Sequence, residues 1–469
     1  MTQLARRVLD ALLREDYRGI AARMTRDKDG AALVLTSGRR VRLAPGGLFQ
    51  DFAVAETEEL TLDEVLGTLT DIADPADDVT AFARECHETL TALRLRTIPA
   101  TGTMRFDSLA AALGHPIYPT ARGRSGLTPE QLIAYAPEFA PRFELRWARV
   151  PGSWPTPDFF PSEGLFPVHP LTAPYVPDVL PEPHLTVRPT LSMRTVEIDA
   201  RTHLKLPLPT STLGARNRRS IKPGTLEDGA RAELLLREVL RREPDMPVLA
   251  ADEQMYAHSG DEYLAWMVRR LPEGRIVTVA ALPLVLEELS ADPKGLLRDY
   301  LDVLLRWNVL LFVRYGIALE AHQQNLALVL PGPRLLIKDN DGLLASPGLL
   351  RTRGIDAPAF TDRRMLTDDP HALADVFVTI TLHLAAAAVA VGAVGDQGRA
   401  LVRDALARAL APYADEPMAR LLRARTLDAA RLVGKSMVTA GTLVAKERTG
   451  AKDINKYYGT SGPNYLWGA

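Results

Sequence analysis

The chain of 469 residues is 46% hydrophobic and 24% charged, carries a formal net charge of −2 and has one cysteine, Cys86. That length predicts roughly two to four structural units around a large buried core. The near-neutral charge excludes a general attraction to nucleic acid, and the single cysteine excludes an internal disulfide framework and a cysteine-based metal cluster.

The start, MTQLARRVLDALL, lacks the apolar run and small-residue cleavage site of a signal peptide, so a cytoplasmic protein is expected. Residues 1–30 read as helical, and Ala32–Leu43 as a hairpin turning at Thr36-Ser37-Gly38. Asp51 to Asp78 holds ten acidic residues and no Lys or Arg. Such a run is a solvated helix face or an acidic partner surface, and Thr61-Leu62-Asp63-Glu64 has the capping-box form that starts a helix. Phe82–Leu95 has helical apolar spacing, with Cys86 and His87 as packing or surface positions.

Between Gly114 and Phe139, Thr128-Pro129-Glu130-Gln131 signals a helix start and leaves an irregular loop before it. That loop carries His115, Arg122 and Arg124. Two guanidinium groups beside an imidazole suit a carboxylate, because Arg grips carboxylate in a planar, bidentate way; surface arginines in a turn would read the same. Pro151–Pro189, with eleven prolines, is expected to wrap or link without regular structure.

Leu191–Ile198 and His203–Leu208 read as strands around a turn at Asp199-Ala200-Arg201. The period of two puts Leu204, Leu206 and Leu208 on one face and His203 and Lys205 on the other, while Ser192 and Arg194 share a face of the first strand. Paired as a hairpin, Ser192, Arg194 and Lys205 can point into one cleft, where a hydroxyl and two cations would hold a polyphosphate; the alternative is a solubilising charged strand. Thr212 and Arg216 follow nearby. No glycine-rich phosphate loop is present, so side chains must do the binding.

Ala230–Arg242 and Pro293–Tyr315 are expected helices. Gly316–Gly342 then reads loop, strand, turn, strand, loop, with strands Leu326–Leu330 and Leu335–Lys338 joined by Pro331–Arg334. This ribbon returns Glu320, His322 and Asn325 to the same end as Asp339 and Asp341. The set has the composition of a Mg²⁺ and nucleotide-phosphate site, or of a polar loop with turn-forming Asp and Asn. Val376–Val394 is uncharged but rich in Ala and interrupted by Thr379, Thr381 and His383, which predicts a buried helix rather than a membrane span. Gln397–Tyr413 and Met418–Lys446 continue the helical pattern, and Gly450–Ala469 is polar, glycine-rich and either mobile or packed on a partner subunit.

Taken in order, GHPIYPTARGRSG from Gly114, PVHP at Pro167–Pro170, LSMRT at Leu191–Thr195, HLKLPL at His203–Leu208, EAHQQN at Glu320–Asn325 and KDNDG at Lys338–Gly342 resemble the IucA/IucC family, the siderophore synthetases that act without a nonribosomal peptide synthetase. The resemblance implies an α+β, cupped-hand fold: a thumb (1–150, helix and hairpin), fingers (151–260, antiparallel sheet) and a mainly helical palm (261–469) carrying the 316–342 hairpin. It implies ATP and Mg²⁺, a homodimer, and condensation of a carboxylic acid, commonly citrate or a derivative, with an amine or alcohol. By the same match Ser192, Arg194, Thr195 and Lys205 hold the triphosphate, and Thr212 and Arg216 sit where nucleotide and acid meet. His322 and Asn325 contact nucleotide and acyl group, and Asp339 with Asn325, Asp341 or Glu320 holds the metal. His115, Arg122, Arg124 and Arg216 face the acid, and His322, Arg216 and Lys205 are the catalytic candidates. Tyr118, Arg122, Leu171-Thr172 and Lys338 depart from the family pattern, mostly on the acid-binding side. Two other functions stay in view: a kinase-like phosphotransferase, against which the missing glycine loop counts, and a non-catalytic nucleotide- or siderophore-binding paralogue.

Overall fold

The computed structural model describes residues 2–28, 30–451 and 456–467. The amino-terminal helix Thr2–Arg14 buries Leu4, Val8, Leu9 and Leu12, a stripe at helical spacing, against a four-stranded antiparallel meander of Met24–Asp27, Gly30–Val34, Arg40–Pro45 and Phe52–Val54. The hairpin expected over residues 32–43 is its middle. The helix expected to reach residue 30 does not: left-handed backbone at Asp16 and Arg18 turns the chain, and Met24–Asp27 pairs as a strand. Capping boxes at Thr61 and Thr128 start the helices Leu62–Ile72 and Pro129–Tyr135.

A seven-stranded antiparallel sheet follows, in the order Asp252–His258, Ala265–Arg270, Thr202–Lys205, Thr195–Asp199, His184–Pro189, Phe143–Arg149, Leu165–Val168. Its two faces differ in kind. Trp147, Val187, Val196, Leu204, Trp266 and Val268 form the core on one side. Register opposes Glu197 to His203 and Arg188, and His203 to Arg269, so the other face carries charge. Both faces are covered, and Lys205 is only 2% exposed. Two departures from expectation occur here. The proline-rich stretch supplies the strands Leu165–Val168 and His184–Pro189, its prolines falling at or outside paired ends for the most part. The first strand of the Lys205 hairpin begins at Thr195, because Thr190–Arg194 is a turn with Met193 at φ 63°.

Against the charged face lies a smaller sheet. Leu326–Leu330 and Arg334–Ile337 pair as the expected hairpin, flanked by Arg275–Thr278 and by Val248–Ala250, the latter parallel. Behind it pack Thr225–Arg242, Pro293–Leu310 with its continuation to Tyr315, Gln397–Leu410 and the long helix through Val394. Pro370–Val394 is the one helix among the described residues long and apolar enough to cross a membrane, and 78% of its most apolar window is buried within the fold. Its His383 donates and accepts inside the protein, bonded to the Tyr465 hydroxyl at 2.7 Å and the Val433 carbonyl at 2.8 Å. The helix expected over residues 418–446 breaks after Thr426. Arg431–Gly434 is a strand there, and it pairs with Thr460–Pro463. The carboxyl-terminal stretch is thus tied to its own chain, with Tyr465 in the core; residues 452–455 and 468–469 of it lie outside the described residues.

Candidate functional site

Where the charged sheet face meets the loop after the Leu326–Ile337 hairpin, an open cleft of about 1900 Å³ forms. Eleven Lys and Arg residues line it against five Asp and Glu, in a chain whose net charge is −2. Such a local excess of cations selects a polyanion.

Lys205 projects from the sheet to ion-pair with Asp339, and Asp341 Oδ2 lies 3.4 Å from the same Nζ. Asp339 has left-handed backbone, φ 62°, and its N–H donates to Glu253 Oε1 at 3.0 Å. Glu253 pairs in turn with Arg269, which approaches Asp339 at 3.9 Å. Burial alone would raise the Asp339 carboxyl, but Lys205, Arg269 and Arg194 hold it well below the usual carboxylate range. Glu320 and Asn325 complete the acidic side: Asn325 Nδ2 donates to the Glu320 carbonyl at 3.1 Å, and Gly342 passes so close to the Glu320 carboxyl that a Cβ there would sit 2.3 Å from its Cδ. Asp339 and Asp341, which both approach the Lys205 ammonium, are the kind of carboxylates that suit a Mg²⁺ ion arriving with phosphate oxygens, since that ion takes one or two protein carboxylates and leaves the rest of its shell to substrate and water. Among the described residues no group of three or more His, Cys, Asp and Glu forms a self-sufficient cage.

Ser192 and Arg194 reach the cleft from the turn. Thr190 and Ser192 knit it together, Ser192 Oγ accepting the Thr195 N–H at 3.1 Å, and Asp107 braces it by accepting the Leu191 N–H at 2.8 Å. Arg219 also lies here, a cation to which no strand alternation points. Burial and its neighbour Arg194 push its guanidinium down to about 9. Arg-Asn-Arg-Arg at 216–219 was the visible signal, but an aperiodic run does not say which cation turns inward. Arg216 lines the cleft while donating to the Thr442 carbonyl at 2.6 Å.

A second cavity, about 230 Å³, opens from the first and shares Ser192, Arg219, Glu320 and His322 with it. Its floor is small and apolar, with Ala110, Ala121, Ala280 and Leu384, and its polar rim includes His115, Thr212 and Lys435. Burial, with Lys435 nearby, lowers His322 to about 4; burial and His322 lower His115 to about 3. Both rings are therefore neutral near pH 7. His322 Nδ1 accepts the Gln324 N–H at 3.3 Å and His115 Nδ1 accepts the Tyr118 N–H at 2.9 Å, which leaves the proton of each on Nε2, facing outward as a donor.

The candidate residues thus divide. Ser192, Arg194, Thr195, Lys205, Arg216, Glu320, His322, Asn325, Asp339 and Asp341 line the first cleft, and His115, Arg124 and Thr212 line the second cavity. Arg122 lines neither. Its Nε lies 3.2 Å from Glu138 Oε1, and Arg124 grips the same carboxylate with bonds of 2.8 and 2.9 Å, so the loop's charge is spent on a buried acid. The carboxylate that this pair of arginines was expected to bind is the protein's own.

Residues 103–154 and 178–284 match the sequence model of the IucA / IucC family, and residues 296–443 match that of the ferric iron reductase FhuF-like transporter family. The latter stretch contains no cysteine. A curated relative, the uncharacterized protein y4xN of Sinorhizobium fredii, is 27% identical over 57% of this chain, and the chain spans only 56% of that relative's length. The fold is similar to that of the petrobactin biosynthesis protein AsbB from Bacillus anthracis, with a TM-score of 0.79 at 14% identity over 99% of this chain and 95% of that one. It is also similar to ATP-bound aerobactin synthetase IucA from Klebsiella pneumoniae, with a TM-score of 0.68 at 17% identity over 99% of both chains.

Proposed function

We propose that this chain, which matches the IucA / IucC family model over residues 103–154 and 178–284, is an ATP-dependent siderophore synthetase that adenylates a carboxylic acid and passes the acyl group to an amine or alcohol. The observation that carries the reading is the junction of the two cavities, where Arg219 and His322 face both a cation-lined cleft and a small apolar chamber. A triphosphate fits the first and the body of an acid the second, which brings carboxylate and α-phosphorus together at the shared residues.

In the first step a carboxylate oxygen attacks the α-phosphorus, the bond to the bridging oxygen breaks and pyrophosphate leaves. Arg194, Lys205 and Arg219 stabilise the charge that gathers on the departing oxygens. Mg²⁺ held by Asp339 and Asp341, with Asn325 or Glu320 beside them, would neutralise further phosphate charge. In the second step the acceptor attacks the acyl carbon, AMP leaves and the acceptor's proton passes to solvent. His322, neutral and protonated on Nε2, serves by donating a hydrogen bond to the acyl oxygen; as a base it would have to accept at an atom that already carries a proton. In this reading residues 1–150, 151–260 and 261–469 act as thumb, fingers and palm of a cytoplasmic homodimer.

The test is product analysis with ATP, Mg²⁺ and a panel of carboxylates including citrate. Acid-dependent AMP and pyrophosphate support the assignment. ADP as the only nucleotide product favours a phosphotransferase and removes it.

A further inference from the structure

The charged face of the seven-stranded sheet borders two spaces. Its Lys205 end meets the cleft; its Glu197 and His203 end borders a separate cavity of about 500 Å³ on the far side of Asp107 and Lys338, which line both. Two buried oxygens there have no partner. Glu197 is 3% exposed and gives Oε1 to Arg188, but its Oε2 is unbonded, and the hydroxyl of Thr278, 2% exposed, is unbonded as well. Such atoms are costly to leave unmade and call for a donor. Of the lining cations, Arg105 and Arg275 lie at ion-pair distance, 2.5 and 3.0 Å, from the Glu288 carboxylate, and Lys338 has the Asp107 carboxylate beside it. The Glu197 carboxylate oxygen can only accept, and the Thr278 hydroxyl and the neutral His203 ring can accept beside it, which suits an ammonium or amine offering up to three N–H donors.

We propose that this cavity binds the amine acceptor, delivering it to the acyl group past Asp107 and Lys338. The assignment rests on the two-step reading above. It separates the substrates physically: nucleotide and acid enter from the cation-lined side, the amine from the opposite side of the same wall. Glu197 and Thr278 anchor the amine, and Ala200, on the exposed turn between the two central strands, lines the mouth.

The test uses the full-length chain with 1,4-diaminobutane as probe, and the variants Glu197→Gln and Ala200→Trp. Saturation-transfer NMR reads direct binding of the diamine, amide formation reads its KM, and acid-dependent ATP–pyrophosphate exchange reads the first step alone. Losing one charged hydrogen bond should raise the amine KM about tenfold or more in Glu197→Gln. Ala200→Trp should abolish saturation transfer, and both variants should exchange pyrophosphate like the wild type. No saturation transfer in the wild type, or an undiminished signal and unchanged KM in both variants, overturns the proposal. Absence of pyrophosphate exchange in the wild type overturns the adenylation reading instead, while the NMR comparison still decides the cavity.

Discussion

Lys205 and Asp339 form an ion pair that joins the charged face of the seven-stranded sheet to the loop following the Leu326–Ile337 hairpin. The two residues are 134 positions apart, and each is held by a further carboxylate or guanidinium, Asp341 on one side and Arg269 on the other. Lys205 has given up its hydration, while the Asp339 side chain keeps 22% of its surface on the cleft, and the buried ammonium is offset only while its partner remains.

Removing either partner should therefore leave the other uncompensated, so that the losses from the two single substitutions overlap. Lys205→Met and Asp339→Asn are each expected to destabilise the protein by about 3 kcal/mol, and the double variant by less than the sum, with a coupling on the order of 1–3 kcal/mol. Denaturant unfolding of the four proteins measures the cycle. Strict additivity would mean that the pair is not formed in solution.

Arg194 stands on a turn and contacts the Arg219 and Ser220 carbonyls only loosely, at 3.4 and 3.3 Å, so its charge is available to a ligand. Arg194→Ala should leave the fold intact and weaken ATP binding by roughly 10- to 100-fold, the loss of one or two charge-assisted hydrogen bonds. Equilibrium binding of ATP with Mg²⁺ checks this, and the difference should shrink as salt rises.

Arg122→Ala should behave in the opposite way. It takes one of two guanidinium groups from Glu138, which is fully buried and keeps the Arg124 pair, and is expected to lower stability by about 1.5 kcal/mol while leaving the KM of the acid nearly unchanged. A selective rise in that KM, with stability intact, would return Arg122 to the acid pocket.

Buried and partly buried imidazoles give the protein an acid-sensitive stability. His115 and His169 are lowered to about 3, and His322 and His383 to about 4, in every case chiefly by burial. In the unfolded chain each takes up its proton near pH 6.5, whereas the native state resists until about pH 4 or below. The unfolded state thus binds more protons in that window, so stability is full above pH 6.5 and is lost as pH falls through it, by up to about 3 kcal/mol per imidazole. Thermal melts from pH 8 to 4 should show a plateau and then a decline, and His169→Asn, which keeps an acceptor for the Leu171 N–H, should make the decline shallower.

Sequence periodicity carried the site only where a side chain's direction follows from its strand. His203 and Lys205 alternate with Leu204 and Leu206, so both the hairpin and the face that Lys205 presents could be read. The hairpin at 326–337 was legible for a different reason, two short apolar runs joined by the Pro331–Arg334 turn. Ser192 and Arg194 reach the cleft from a turn set by Met193 in the left-handed region, which no alternation reports. Arg219 was hidden in an aperiodic basic run, and the strand Thr460–Pro463 in a sequence without apolar alternation, its Gly462 admitted because the Phe49 carbonyl would lie 2.4 Å from a Cβ. The fate of Arg122 and Arg124 depended on Glu138, a partner beyond a helix, and on its burial, which local pattern does not encode.

Isotope transfer from the acid to the nucleotide decides whether an acyl-adenylate forms. With a carboxylate substrate labelled with ¹⁸O, attack on the α-phosphorus and later cleavage of the acyl–oxygen bond must leave one labelled oxygen in AMP. Mass spectrometry of the nucleotide product should find that label in every turnover. Label appearing in inorganic phosphate with ADP, and none in AMP, would contradict adenylation and mark the cleft as a site of γ-phosphoryl transfer.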